Sequence, residues 1–293
     1  MMKRLQLDSD ARRGLSQISL PFAFSVLLLA APLTILLAMS FWTQDFLTLD
    51  RTFTLANFKE AWTSPVYRTL MLRSLKISII VTVLTVGLAY PAAYYMSFVA
   101  PNNRKALLVF LITIPFWTSY LMRIFLWKVI LGFNGVVNGS LMGLGIIDAP
   151  LDWISYNQFA VVLTLSHAWL PFAVLPIFVV MEKVNRSYLE AAQDLGDTPF
   201  QRFLRITLPL SMPGVVAATL IVFIPTIGDY VTPRLVGGPD GLMIANMIEI
   251  QFKNANNAPL GAALALSALV LVSSVAGIFV WLNRRYLKAE GAA

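Results

Sequence analysis

The sequence predicts an all-α integral membrane protein with six transmembrane helices, and three observations predict it. Of 293 residues, 58% are hydrophobic and only 13% are charged, about half the charged share of an ordinary soluble domain. Mean hydropathy is +0.72, so a fold in water would carry more apolar surface than its interior could hide. The apolar residues also gather into six stretches, each close to the roughly 20 residues that cross about 30 Å of hydrocarbon as a helix.

These stretches run over 20–42, 77–98, 106–128, 159–181, 212–233 and 260–282. They predict one membrane domain over 20–283, with a tail at 1–19 and another at 284–293. The first follows Lys3, Arg4, Arg12 and Arg13 and so resembles a signal peptide. It is too long for one, and no small-residue cleavage site follows Phe41-Trp42, so it reads as a retained helix. The segment 43–73 is long, polar and aromatic and is expected to cap the bundle. The glycine-rich segment 134–158 has no Lys or Arg and reads as a second external connection, with room for a short interfacial helix. Pro171 and Pro176 should kink the fourth helix. His167, the only histidine, has no cysteine and no nearby acid to complete a metal site. It reads as a packed, hydrogen-bonded residue.

Orientation follows from where the positive charges fall. With the N-terminus inside, the cytoplasmic segments hold the basic N-terminal tail, Arg104, Lys105, Lys183, Arg186, Arg202, Arg205 and the basic C-terminus. The external segments hold only Arg51, Lys59, Arg68, Arg234 and Lys253. Both termini are therefore expected in the cytoplasm. The net charge of +7 reflects this bias and gives no ground for a nucleic-acid partner. With no cysteine there are no disulfides or thiolate chemistry. No GxxxxGK[ST] loop occurs, so any ATP must be bound by another polypeptide. The chain reads as a non-enzyme without cofactors or a metal site.

The loop 182–210 carries the most specific signal. A short helix over 187–195 has Ser187 as its expected N-cap and Gly196 as its stop. A second starts near Thr198 with Pro199 at its first position, where the missing N–H costs nothing. Leu189, Leu195, Phe200, Phe203 and Leu204 give this knob an apolar surface for docking. Glu190-Ala191-Ala192, three residues, Gly196, nine residues, Ile206, one residue, Leu208-Pro209 resembles the loop signature of permease subunits in binding-protein-dependent ABC importers.

That resemblance implies a type I importer permease fold with cytoplasmic coupling helices. It implies as partners two copies of a cytoplasmic ATP-binding subunit, a second homologous permease, a periplasmic substrate-binding protein and the lipid bilayer of the bacterial inner membrane. Glu190 offers a charge to the ATPase, Ala191 and Ala192 permit close approach, and Gly196 permits the turn. Two further stretches, 115–127 with the following Asn134-Gly135, and 223–238, resemble the spermidine and putrescine branch. Other solutes of the family stay open: a metal ion complex, a thiamine-like cation, a sugar or a phosphonate. An ion-coupled secondary carrier would call for paired intramembrane acids and inverted repeats, and a membrane enzyme for a catalytic cluster; neither pattern is evident.

Asp229 stands inside a span, where an acid is expensive. Beside Tyr230 it could meet a polycation in transit through charge and ring face. Equally, it could pair with Arg123 or cap a helix near Pro225 and Gly228. Arg123 would repel a polyamine and reads as a counter-ion for Asp229 or for the partner permease. Trp117 and Tyr120, with Phe125 and Trp127, either line a path or anchor helices at the interface.

Overall fold

The computed structural model describes residues 9–45 and 48–287. The expected N-terminal tail lies outside the described residues over 1–8, and the C-terminal tail over 288–293. Helix α1 (Ser9–Ser40) begins well before residue 20, because hydropathy marks where a helix meets lipid and not where its hydrogen bonding starts. Strands β1 (Thr43–Asp45) and β2 (Thr48–Asp50) pair antiparallel with Thr43 opposite Asp50. Helix α2 (Ala56–Thr63) is pinned to the turn between α1 and this hairpin by Asn57, whose amide donates to the carbonyls of Ser40 (3.1 Å) and Trp42 (2.6 Å). Helix α3 (Pro65–Tyr94) starts on a proline, so the cap expected over 43–73 is shorter and the second crossing helix longer than hydropathy implied. It runs into a wide, π-type turn at Tyr95–Val99.

The expected single span over 106–128 is broken. Helix α4 (Asn102–Thr113) tightens into a 3₁₀ turn at Ile114–Trp117, since Pro115 has no N–H for the Leu111 carbonyl. Thr118 is extended (φ −103°, ψ 142°), and helix α5 (Tyr120–Leu131) then starts afresh. Helix α6 (Val136–Gly143) is the short helix expected in the second connection. Buried Asn138 accepts from the Leu151 N–H (2.9 Å), and Ser155 donates to the Leu131 carbonyl (2.6 Å). Helix α7 (Gln158–Glu182) is capped by Asn157, which accepts from the Ala160 N–H.

Helices α8 (Arg186–Asp194) and α9 (Pro199–Arg202) form the knob. A second π-type turn, Phe203–Thr207, leads into α10 (Leu208–Ile227). The fifth span, expected to reach 233, stops at Ile227, and α11 (Val231–Val236) follows a break at residues 228–230. Helices α12 (Gly238–Gly241), α13 (Ile244–Lys253) and α14 (Ala258–Leu287) complete the chain, α14 passing the expected boundary at 284. Among the described residues, six stretches are long and apolar enough to cross a membrane: Gln17–Ser40, Pro65–Val99, Tyr120–Gly143, Gln158–Glu182, Pro199–Ile227 and Ala258–Leu287.

The core is the triangle of α3, α7 and α10, which pack most extensively on one another. Ile77, Val81, Leu165, Val174, Ile177 and Val222 fill it. Small residues bring the backbones close, as membrane helix pairs require: Ala89 and Ala93 on α3, Ala173 on α7, and Gly214 and Ala218 on α10 are buried. A second cluster joins Leu70, Met71, Phe223, Ile244 and Leu264. Helix α1 packs against α14 at the edge of the bundle and exposes Phe22, Leu27, Leu28 and Leu29, a surface that suits lipid and not water.

Candidate functional site

Two constructions stand at opposite ends of α10. At its start is the knob. Helix α8 begins one residue earlier than expected because Asn185, not Ser187, is the cap: its side-chain oxygen takes the Ser187 N–H at 3.0 Å. The helix ends in a Schellman turn. Gly196 lies at φ +87°, its N–H reaches the Gln193 carbonyl (2.9 Å), and the Asp197 N–H reaches Ala192 (3.0 Å). Thr198 and Gln201 then form a reciprocal capping box around Pro199. Arg202 donates to Gln193 (2.8 Å), and Arg205 pairs with Asp197 (2.6 Å), closing the two helices on each other.

The knob is held to the end of α3. The Ser97 carbonyl in the π-type turn accepts from both Arg186 (3.1 Å) and Lys105 (3.0 Å), and Lys105 also pairs with Glu182 (2.6 Å). Phe203 sets its edge against Tyr90 (5.7 Å between centroids) and lies near Tyr94 (6.4 Å). Tyr90 and Ser211 share a 2.8 Å hydrogen bond. The knob is thus in contact with both α3 and α10.

Of the residues expected to couple, Glu190 and Ala191 are exposed and Ala192 is buried. Ile206, Leu208 and Pro209 are half-buried where the knob joins α10. Glu190 borders a cavity of about 180 Å³ with Phe98, Arg186, Leu189 and Arg202. The apolar surface is narrower than the sequence suggested: Leu189 and Phe203 turn partly inward, leaving Leu195 (86% exposed), Phe200 (69%) and Leu204. Tyr188, which the sequence reading did not select, is exposed beside them.

At the other end of α10 is Asp229, 8% exposed. Its Oδ1 accepts the N–H groups of Val231 (2.8 Å) and Thr232 (3.2 Å). Its Oδ2 accepts the hydroxyls of Thr232 (2.6 Å) and Tyr120 (2.5 Å). Four donors converge on a group whose ionised form only accepts, so the carboxylate starts α11 and binds it to α5. Between the two structural readings of this acid, the cap is formed. No Arg123–Asp229 ion pair occurs among the described residues. The Arg123 guanidinium instead lies 5.8 Å from the Tyr120 ring centroid, with Nη1 3.4 Å from the Ala168 carbonyl and buried Nε without a partner.

Tyr120, Asp229 and Arg123 are thus brought together. Tyr230 is half-exposed beside them, its carbonyl held by the Asn246 amide at 2.7 Å. Trp117 is exposed on the 3₁₀ turn and does not join them. An aromatic series that the sequence did not reveal runs from Tyr120 through Trp169 and Phe172 to Phe116. Thr232 was also missed, although its place three residues after Asp229 is a capping spacing that could have marked it. His167 accepts from the Trp127 indole (3.1 Å) but is exposed and not packed inside. Among the described residues no group of His, Cys, Asp and Glu could hold a metal.

Comparison with known proteins bears on both constructions. Residues 86–288 match the family described as binding-protein-dependent transport system inner membrane component, which covers the knob and the Asp229 centre. The chain is 35% identical to the spermidine/putrescine transport system permease protein PotB of Haemophilus influenzae, over 91% of this chain and 93% of that one. It is 36% identical to the PotB of Escherichia coli, over 90% and 95% respectively. Its fold matches a chain of a bacterial alginate ABC transporter solved with an alginate-bound periplasmic protein. The TM-score is 0.75 at 18% identity, covering 97% of this chain and 98% of that one, a likeness of fold alone. The chain is therefore a multi-pass inner-membrane permease and belongs to the family of inner membrane components of binding-protein-dependent transport systems.

Proposed function

We propose that this permease imports polyamines and works as half of a translocation path. The observation that carries the reading is its 35–36% identity, over nine-tenths of its length, to permeases named for spermidine and putrescine. Both termini lie in the cytoplasm, as the distribution of Lys and Arg favours. The knob then faces two copies of a cytoplasmic ATP-binding subunit, to which Tyr188, Leu195, Phe200 and Glu190 dock. The hairpin, α2, α6 and α13 face a periplasmic substrate-binding protein. A second, homologous permease completes the path. ATP-driven closure of the ATPase pair moves the knob, and through Phe203 and the Tyr90–Ser211 bond it moves α3 and α10. Asp229 and Tyr120 hold the break between α10 and α11, while the half-exposed ring of Tyr230 and exposed Trp117 offer faces to the passing cation. Arg123 is a positive boundary of that path.

The test is substrate-stimulated ATP hydrolysis by the purified complex in lipid. Spermidine and putrescine are compared with sugars, phosphonates and iron, each with its loaded binding protein. Stimulation by polyamines alone is the expected result. Stimulation only by another solute would overturn the substrate and leave the permease reading standing.

A further inference from the structure

Close to Asp229, α13 forms a fixed platform. Its Ile244 N–H donates to Ser74 of α3 (2.7 Å), Asn246 holds the Tyr230 carbonyl, and Gln251 donates to Tyr67 (3.3 Å). From this platform Glu249, its side chain only 10% exposed, meets two cations on the same oxygen: Arg234 Nη1 and Lys253 Nζ, each 3.0 Å from Oε1. Oε2 receives no donor among the described residues. Glu249 lines a cavity of about 410 Å³ with Arg234, Leu242, Asn246, Ile250 and Asn254, within the roughly 300–1,000 Å³ range of small-molecule sites. The Lys253 ammonium also sits 5.8 Å from the centroid of the Tyr230 ring.

A primary ammonium held between a mostly buried carboxylate and an aromatic face is a chemically specific arrangement. Here the ammonium belongs to a side chain that is 65% exposed and paired at i,i+4 spacing, a weak and readily exchanged interaction. Arg234, 66% exposed, meets the same oxygen and gives Glu249 a second counter-ion. We infer that Glu249 and Tyr230 form a binding site for a primary alkylammonium group of the transported solute, and that Lys253 fills it when the solute is absent. Exchanging one ammonium for another leaves the charge of the site unchanged, and Glu249 is never stripped of its counter-ions. Oε2 supplies a further acceptor for the incoming N–H groups, and Asn254 lies on the same cavity wall. Tyr230 follows Asp229 directly in sequence, so the site lies beside the residue that starts α11.

This inference rests on the polyamine reading, and the experiment separates the two. Equilibrium binding of spermidine is measured by calorimetry on the whole complex in lipid nanodiscs without the binding protein, with sucrose as a neutral control. Lys253→Ala, at an exposed position, is expected to tighten spermidine binding at least tenfold. Adding Glu249→Gln to it should abolish the gain, and adding Tyr230→Leu should reduce it at least threefold. Unchanged binding by Lys253→Ala, or full gain in the Glu249→Gln double variant, would overturn the site. Lys253→Ala alone decides if the double variant does not assemble. Uptake of labelled spermidine by the unaltered complex with its binding protein gives the separation. Uptake without tightening removes only this inference, and absence of uptake removes the polyamine reading and this inference with it.

Discussion

Replacing Gly196 by alanine isolates the contribution of one backbone angle to coupling. The native φ is +87°, and an added Cβ would meet nothing within 4 Å, so the change creates no clash with a neighbour. The cost is conformational: an L-residue in the left-handed region is disfavoured by about 1–2 kcal/mol. Relaxing to negative φ instead would break the N–H contacts from Gly196 to Gln193 and from Asp197 to Ala192, each worth about 1 kcal/mol. Either route weakens the native knob by about 1–2 kcal/mol, a factor of roughly 5–30 in its population relative to a rearranged form. In proteoliposomes containing the full complex, Gly196→Ala should lower solute transported per ATP hydrolysed by about threefold or more, with membrane insertion unchanged. Gly196→Asn should fall between the two, because asparagine tolerates this region better. Transport equal to wild type in Gly196→Ala, or a worse result for Gly196→Asn, would refute the reasoning.

Other expectations follow from the same geometry. Tyr120→Phe removes one of four donors to Asp229 and should lower the stability of the complex by about 1.5–3 kcal/mol, read as a fall in Tm. Combining Tyr120→Phe with Asp229→Asn should cost clearly less than the sum of the two, because both act on one hydrogen-bond network. Gly214→Ala would place a Cβ 2.8 Å from the Pro176 carbonyl oxygen and 3.0 Å from Ile177 Cα. Forcing α10 away from α7 should cost about 1–3 kcal/mol and reduce the yield of assembled complex. Glu182→Gln loosens only a partly exposed pair with Lys105, and a loss of at most about 1 kcal/mol is expected. A larger Tm shift would mean that this pair anchors the knob more firmly than its exposure allows.

The number of crossing stretches and the form of the knob were legible because each has a local cause: hydropathy over a bilayer thickness, and a glycine followed by a Thr-Pro cap. The breaks were not. Residues 115–119 and 228–230 interrupt helices in stretches whose averaged hydropathy still reads as membrane span, and a sliding average does not register a change of φ and ψ. The partner of Asp229 was also hidden, since Tyr120 lies 109 positions away in sequence and only packing of α5 against α11 unites them. The cap itself was among the open readings, because Pro225 and Gly228 beside the acid mark a helix end locally, although Thr232 was not singled out.

The wide turns at Tyr95–Val99 and Phe203–Thr207 flank the knob, and each is closed by a backbone bond spanning five residues. Each therefore stores one residue more than an ordinary turn at the place where the cytoplasmic signal is expected to enter. Because the wide turn absorbs its extra residue within one turn, deleting one residue from Phe203–Thr207 would restore α geometry with the knob kept in phase, whereas a further deletion would rotate it by about 100° about the axis of α10. The stretch between Gly196 and Pro209 thus carries slack of one residue: a single deletion is absorbed in the wide turn, and a second would carry the knob out of register with α3.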